Sequence, residues 1–231
     1  NANFESILTG QKHQVEVNKK IVDCTYLKTT VPSTHKPNFT VAESVQFMPL
    51  NNLPKIQSPP AGYVIVGGGK TGIDAVLFLL ENGVNPDDIT WIMPRDAWLL
   101  DRQNTQPTEE FFASSMGAQA NQMEAIANST SIKDMFSRLE ASGVFLRIDE
   151  NVWPTMFHGA TISKMELAEL RRVRNVVRKG RVTSILADKI VLEDGEIETT
   201  VKHIHVDCSA SAISNLTIKP IFSEGVITPQ T

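Results

Sequence analysis

The sharpest change of pattern in the chain comes where the apolar run Tyr63-Val64-Ile65-Val66 breaks into glycines and then into helical spacing. A short β-branched run predicts a buried strand. Ala75, Val76, Leu77, Phe78, Leu79 and Leu80 predict a mostly apolar helix, stopped by Gly83 and Asn85-Pro86. Ile89-Thr90-Trp91-Ile92-Met93 reads as a second strand, giving a β-α-β unit of about 30 residues, the length a parallel crossover needs. Further helices are expected from Glu109 to about Ala127 and from Ser131 to Ser142, the second with Ser131 and Asp134 at its start and Gly143 at its end. Val144–Ile148 predicts a strand, and Ser163-x-x-Glu166 is a capping box ahead of a helix carrying Leu167, Leu170 and Val173.

The flanks read differently. Gln14–Val17 alternates, a polar break follows at Asn18-Lys19-Lys20, and Ile21–Leu27 is extended, so a small hairpin is expected there. From Val31 to Pro60 recurring prolines forbid long helix and central strand, leaving a connecting segment with short extended pieces at most. In the last third Val182–Ile185, Lys189–Leu192 and His203–Val206 are short extended runs, with Asp194-Gly195 turning between the last two. The expected fold is α/β: a Rossmann-like, doubly wound parallel sheet carrying an antiparallel β-meander.

Composition narrows the partners. The 231 residues carry 22 lysines and arginines against 26 acids, a net charge of −4, so no broad electrostatic footprint for nucleic acid or an anionic membrane is expected. A small molecule is the expected partner. Cys24 and Cys208 make neither a disulfide framework nor a C-x-x-C pair, which fits a reducing compartment. No run of 18 apolar residues and no signal-peptide layout is present, so a soluble, cytoplasmic protein is expected. The chain starts at Asn1-Ala2 without methionine and is expected to be a piece of something longer, incomplete at both ends.

The glycines carry the candidate chemistry. Gly67, Gly69 and Gly72 fit G-x-G-x-x-G between a strand and a helix: the first for the turn, the second for backbone approach to a pyrophosphate, the third for helix–strand packing. Gly68, Lys70 and Thr71 complete the candidate turn, whose free N–H groups would hold the phosphates. Gly69-Lys70-Thr71 imitates the end of a nucleotide-triphosphatase phosphate loop, but the glycine that would open it is Val64, inside the strand. The plain alternative is a glycine-rich turn that binds nothing. An acid about 20 residues past such glycines reads the ribose 2′-hydroxyl of NAD; Met93-Pro94-Arg95 stands there instead. Arg95, with Arg102 and more weakly Lys70, points to a 2′-phosphate and so to NADP over NAD, while Asp96 is the competing ribose acceptor. His203 and His205 share a strand face without a completing ligand and read as surface or packing residues rather than a metal site. Val22-Asp23-Cys24-Thr25 and Val206-Asp207-Cys208-Ser209 echo one another, each reading as a strand-end turn whose carboxylate accepts local N–H groups.

The segments Gly67–Asp74 and Trp91–Trp98, with the two Val-Asp-Cys segments, resemble uncharacterised flavoprotein oxidoreductases with two dinucleotide-binding domains. These are similar to flavin-containing monooxygenases and the pyridine nucleotide–disulfide reductases. The resemblance runs from about Val15 to the end. It implies that residues 1–45 are the tail and linker of a largely missing flavin domain, the tail itself ending near Thr30. It also implies that residues 46–231, centred on Tyr63–Cys208, form the NAD(P)-binding domain. The implied chemistry is hydride transfer from NAD(P)H to FAD, which then reduces oxygen or another acceptor, with a small-molecule substrate. The first domain's FAD fingerprint is absent from this sequence, no cysteine pair supports disulfide reduction, and no residue stands out as acid, base or nucleophile. A short-chain dehydrogenase fits poorly, because neither Tyr26 nor Tyr63 begins a Tyr-x-x-x-Lys pair. The competing reading is a non-catalytic dinucleotide-binding or sensing module on the same fold.

Overall fold

The structure, a computed structural model, describes residues 2–26, 29–210 and 216–230. It divides into two compact units, residues 1–30 with 211–231 and residues 31–210. In the smaller unit Ala2–Glu5 pairs antiparallel with Lys12–Val15, while Phe222–Ser223 and Val226–Ile227 form a hairpin to which Ile21–Val22 adds in parallel. The hairpin expected across Asn18-Lys19-Lys20 does not form. The turn instead falls at Ser6–Gln11, where the Ser6 N–H donates to the Gln11 carbonyl at 2.9 Å, and Ile21–Val22 finds its partner near the other end of the chain. Leu27, the end of that expected strand, lies outside the described residues. Residues 211–231, expected within the glycine-rich domain, group with the N-terminal strands.

The larger unit runs in order through β1 (Thr40–Val41), β2 (Gln46–Pro49), β3 (Gly62–Val66), α1 (Lys70–Glu81), β4 (Ile89–Ile92), β5 (Ala97–Asp101) and α2 (Phe112–Asn128). It continues through α3 (Ile132–Ala141), β6 (Phe145–Leu146), β7 (Met156–Ile162), α4 (Lys164–Leu170) and β8 (Val176–Val177). It ends with β9 (Val182–Ile185), β10 (Lys189–Leu192), β11 (Gly195–Glu198) and β12 (His203–Asp207). Its central sheet has five parallel strands in the order β8-β4-β3-β12-β2.

Residues of β3 are buried on both faces, and alternate ones serve different cores. On one side Tyr63 and Ile65 join Trp91, Ile204 and Val206 beneath Ile73, Val76 and Leu80 of α1 and Leu167 and Leu170 of α4. On the other, Val64, Val66 and Ile92 pack against Val182, Ile185, Ile190 and Leu192. Helices α1 and α4 thus cover one face and the antiparallel strands the other, in place of the helices on both faces that a doubly wound sheet implies. The meander also shifts by one strand. The Asp194-Gly195 turn feeds β11, which pairs with β10 from Leu192–Gly195 to Lys189–Glu198, while β12 joins the parallel sheet between β3 and β2.

A third cluster is separate. Trp98 of β5 stacks on Phe136 and Phe145 at centroid distances of 5.4 and 6.1 Å, and Ala118, Ala125 and Leu139 of α2 and α3 close over it. Ser131 caps α3 by accepting from the Asp134 N–H at 3.1 Å, and Ser163 with Glu166 forms the expected capping box on α4. Among the described residues no helix is long and apolar enough to cross a membrane.

Candidate functional site

Strand β3 delivers the chain into the glycines at the carboxyl edge of the parallel sheet, where α1 departs toward β4 and β12 lies on β3's other side. In open parallel sheets, the crevice beyond such strand ends is where ligands bind. The three glycines of the motif have distinct surroundings. Gly67 has φ 131°, and a Cβ there would meet the Cys208 carbonyl oxygen at 2.8 Å. At Gly72 a Cβ would overlap the Gly67 carbonyl oxygen, which also accepts from Trp91 Nε1 at 2.9 Å. Gly67 therefore serves the close approach of the turn to the end of β12, and Gly72 the close packing of α1 on the turn. Gly69 is different: a Cβ built there meets nothing within 4 Å. It is the N-cap of α1 and supplies no side-chain cap. The first N–H to close the helix is that of Ile73, donating to the Gly69 carbonyl at 3.0 Å. The N–H groups of residues 70–72 have no intrahelical acceptor and stand at the positive end of the helix dipole. This turn has the shape and donors to receive a phosphate or pyrophosphate.

The remaining sequence candidates divide. Gly68 sits against the next strand end, where a Cβ would approach Met93 Cγ at 2.5 Å and the Arg95 carbonyl at 3.4 Å. Arg95 is therefore beside the turn. Its exposed side chain lines a cleft of about 240 Å³ with Pro94, Gly180, Arg181 and Glu193. Lys70 pairs with Asp74 one helical turn on, and Thr71 is half-buried in the first turn. Arg102 is elsewhere. It donates to both Glu166 oxygens at 3.1 and 3.2 Å and lines a different cleft with Leu77, Leu80 and Glu81, at the far end of α1. Those residues lie about 15 Å along the helix from Gly69 at 1.5 Å per residue, so Arg102 does not join the turn. Burial pushes the Glu166 carboxyl up, but the Ser163 N–H and the Arg102 guanidinium outweigh it and hold it below its usual range.

Asp96, the competing ribose acceptor, is engaged by another residue. Its buried carboxylate is gripped by Arg178, Nε at 2.7 Å and Nη2 at 3.0 Å, and this bond, against the opposing effect of burial, raises the Arg178 pKa. Neither Arg178 nor Arg181 was visible as a site residue in the sequence, because each reaches this corner by folding back more than 80 residues after Pro94.

On β12, His205 is fully buried, with Nδ1 3.2 Å from the Gln46 carbonyl and Nε2 2.8 Å from Thr199 Oγ1. The carbonyl only accepts, so Nδ1 carries the proton, and Thr199 donates to Nε2. Burial pushes the His205 pKa down, with His203 adding to the effect and the Gln46 bond opposing it. His203 Nδ1 also contacts Thr199 at 3.2 Å, which makes both histidines packing residues. The echoed aspartates behave alike: Asp23 Oδ1 accepts from the Thr25 N–H at 3.0 Å, and buried Asp207 from the Ser209 N–H at 2.9 Å. Cys208, next to Asp207, has its thiol pushed up to about 12, by burial first and then by Asp207 and Asp74, so it offers no thiolate at neutral pH.

No protein-family model matches the chain. Uncharacterized proteins of Mycobacterium tuberculosis and Mycobacterium bovis are 44% identical to it over 226 residues, covering 96% of this chain. The chain spans 41% of the length of these curated relatives.

Proposed function

We propose that the larger unit is a Rossmann-like domain that binds NADPH across the Gly67–Gly72 turn and presents it to FAD held by a part of the parent protein outside this chain. The observation that carries the reading is the division among the glycines. Gly67 and Gly72 are closed in by protein, and Gly69 alone of the three faces open space in front of an uncapped helix N-terminus. A structural turn has no need of the second opening; a pyrophosphate does. The strand order supports the reading, since β8-β4-β3-β12 has the 3-2-1-4 arrangement of a dinucleotide-binding sheet.

The N–H groups of residues 70–72 would hold the pyrophosphate, and Arg95 and Arg181 would flank the adenosine 2′-phosphate across their shared cleft. With Asp96 committed to Arg178, the acid that follows Arg95 is not available to take a ribose 2′-hydroxyl in its place. Bound NADPH would supply a hydride, and the chain's own residues would position it. The connectivity supports a second domain set into another: residues 31–210 form one unit, and both flanking segments belong to the other. A cytoplasmic setting accompanies this reading, as does a small-molecule substrate met by the parent protein.

Calorimetric titration of NADPH into wild type and Gly69→Val tests the site. The added side chain points into open space, so the fold and melting temperature stay near wild type while affinity falls by at least tenfold, about 1.4 kcal/mol. A variant that binds as wild type does would overturn the assignment. A dinucleotide-binding module without chemistry would pass the same test, and NADPH oxidation by the parent protein separates the two.

A further inference from the structure

Helix α2 has two faces with apolar side chains, and only one is used. Ala118 and Ala125 face the cluster beneath it. On the outer side Phe112, Met116, Met123 and Ile126 are 64%, 41%, 68% and 58% exposed, with exposed Gln119 midway between them. The five positions are spaced by four, three, four and three residues, which gathers them within about 80° of arc at 100° per residue, the geometry of a coiled-coil seam with one polar position. Exposed Ala120 and Ala127 flank the stripe on one side and half-buried Ser115 and Gln122 on the other, and Glu124 is the helix's one charged residue. Apolar surface of this kind marks an interaction site rather than a solvated face.

We infer that α2 pairs antiparallel with α2 of a second copy of this chain, across a two-fold axis passing by Gln119. The stripe is self-complementary about that residue. Phe112 falls opposite Ile126 of the second copy, Met116 beside Met123, and Gln119 opposite itself, as an isologous contact requires. A side-chain amide both donates and accepts, so two Gln119 amides meeting at the axis satisfy one another. A single polar residue in an apolar seam fixes its register, since any slip would bury the amide against Met116 or Met123 without a partner. Charge selects the same direction. An antiparallel pair keeps Glu109 and Glu110 of the two copies at opposite ends of the seam and sets the two helix dipoles in opposition. A parallel pair would gather the glutamates of both copies at one end. The four large side chains leave roughly 500 Å² exposed per copy, and with Gln119 and the flanking alanines two copies approach the ~1,200 Å² at which specific interfaces begin. An interface of that size lies at the weak, transient end of the range.

Sedimentation equilibrium of the 231-residue chain reads this directly. Twice the chain mass is expected at tens of micromolar, and the single-chain mass for Met123→Glu at the same concentration, with an unchanged circular dichroism spectrum and melting temperature. In a Cys24→Ser background, Gln119→Cys should form an intermolecular disulfide under mild oxidation, while Phe112→Cys alone should not. The proposal is overturned by a monomer throughout the range, which would leave the face to another segment of the parent protein. It is also overturned by a dimer indifferent to Met123→Glu, or by Phe112→Cys cross-linking as readily as Gln119→Cys, the mark of a parallel pair.

Discussion

Replacing Asp96 by alanine distinguishes a structural carboxylate from a ligand contact. The Asp96 side chain is 6% exposed and bonded twice to Arg178, whose own side chain is 27% exposed. Removing one partner of a fully buried pair costs about 3–5 kcal/mol, because the other charge is left without its counterion. Arg178 keeps some water and a second carboxylate, Asp149 at 3.3 Å, so the expected loss is lower, about 2–3 kcal/mol. In a chain of this size that lowers the melting temperature by roughly 5–10 °C. Thermal melts followed by circular dichroism measure it, and Arg178→Met added to Asp96→Ala should recover part of the loss by removing the orphaned charge. If Asp96→Ala melted with wild type while changing the NADPH-to-NADH preference, the carboxylate would be a ribose ligand and its structural role would be refuted.

Three further outcomes are expected. Gly72→Ala, whose Cβ has no room beside the Gly67 carbonyl, should lose about 3 kcal/mol by overpacking, whereas Gly69→Ala should stay within about 1 kcal/mol of wild type; equal urea midpoints would contradict this. Since burial depresses the His205 pKa from 6.5, its contribution to stability is present above that value and lost as pH falls through it toward the folded-state pKa. Wild type should thus weaken more than His205→Gln between about pH 7 and pH 5, and parallel pH profiles of the urea midpoints would refute the assignment. Asp207→Ala frees the Ser209 N–H and should cost about 1 kcal/mol while leaving NADPH affinity unchanged; lost binding with stability intact would make Asp207 a ligand residue.

The β3-turn-α1-β4 unit could be read from the sequence because its signals are local: an apolar run, glycines at fixed offsets, and a helix stop at Gly83. Capping made α3 and α4 legible for the same reason, Ser131 and Ser163 each satisfying an N–H three residues on. Strand β7 was not legible, because His158-Gly159-Ala160 interrupts its alternation where the pairing with β5 shifts register and Gly159 has φ 68°. Strand β11, Gly-Glu-Ile-Glu, hides behind its polarity. The pairing of β2 with β12 joins residues more than 150 positions apart, and β2 ends in a proline that argues for a loop. At the site, the glycines and Arg95 were visible because the motif fixes their spacing. Arg178 and Arg181 were not, since only the folded chain brings them to the end of β4.

The central claim, that this turn holds NADPH by its pyrophosphate and its 2′-phosphate, is tested most directly by titrating NADPH and NADH into wild type and Arg95→Ala. Wild type should prefer NADPH, and Arg95→Ala should lose about ten- to a hundredfold in NADPH affinity, ~1.5–3 kcal/mol for a charged contact, with little change for NADH. Failure of wild type to bind either nucleotide, a wild-type preference for NADH, or an unchanged ratio in the variant would contradict it.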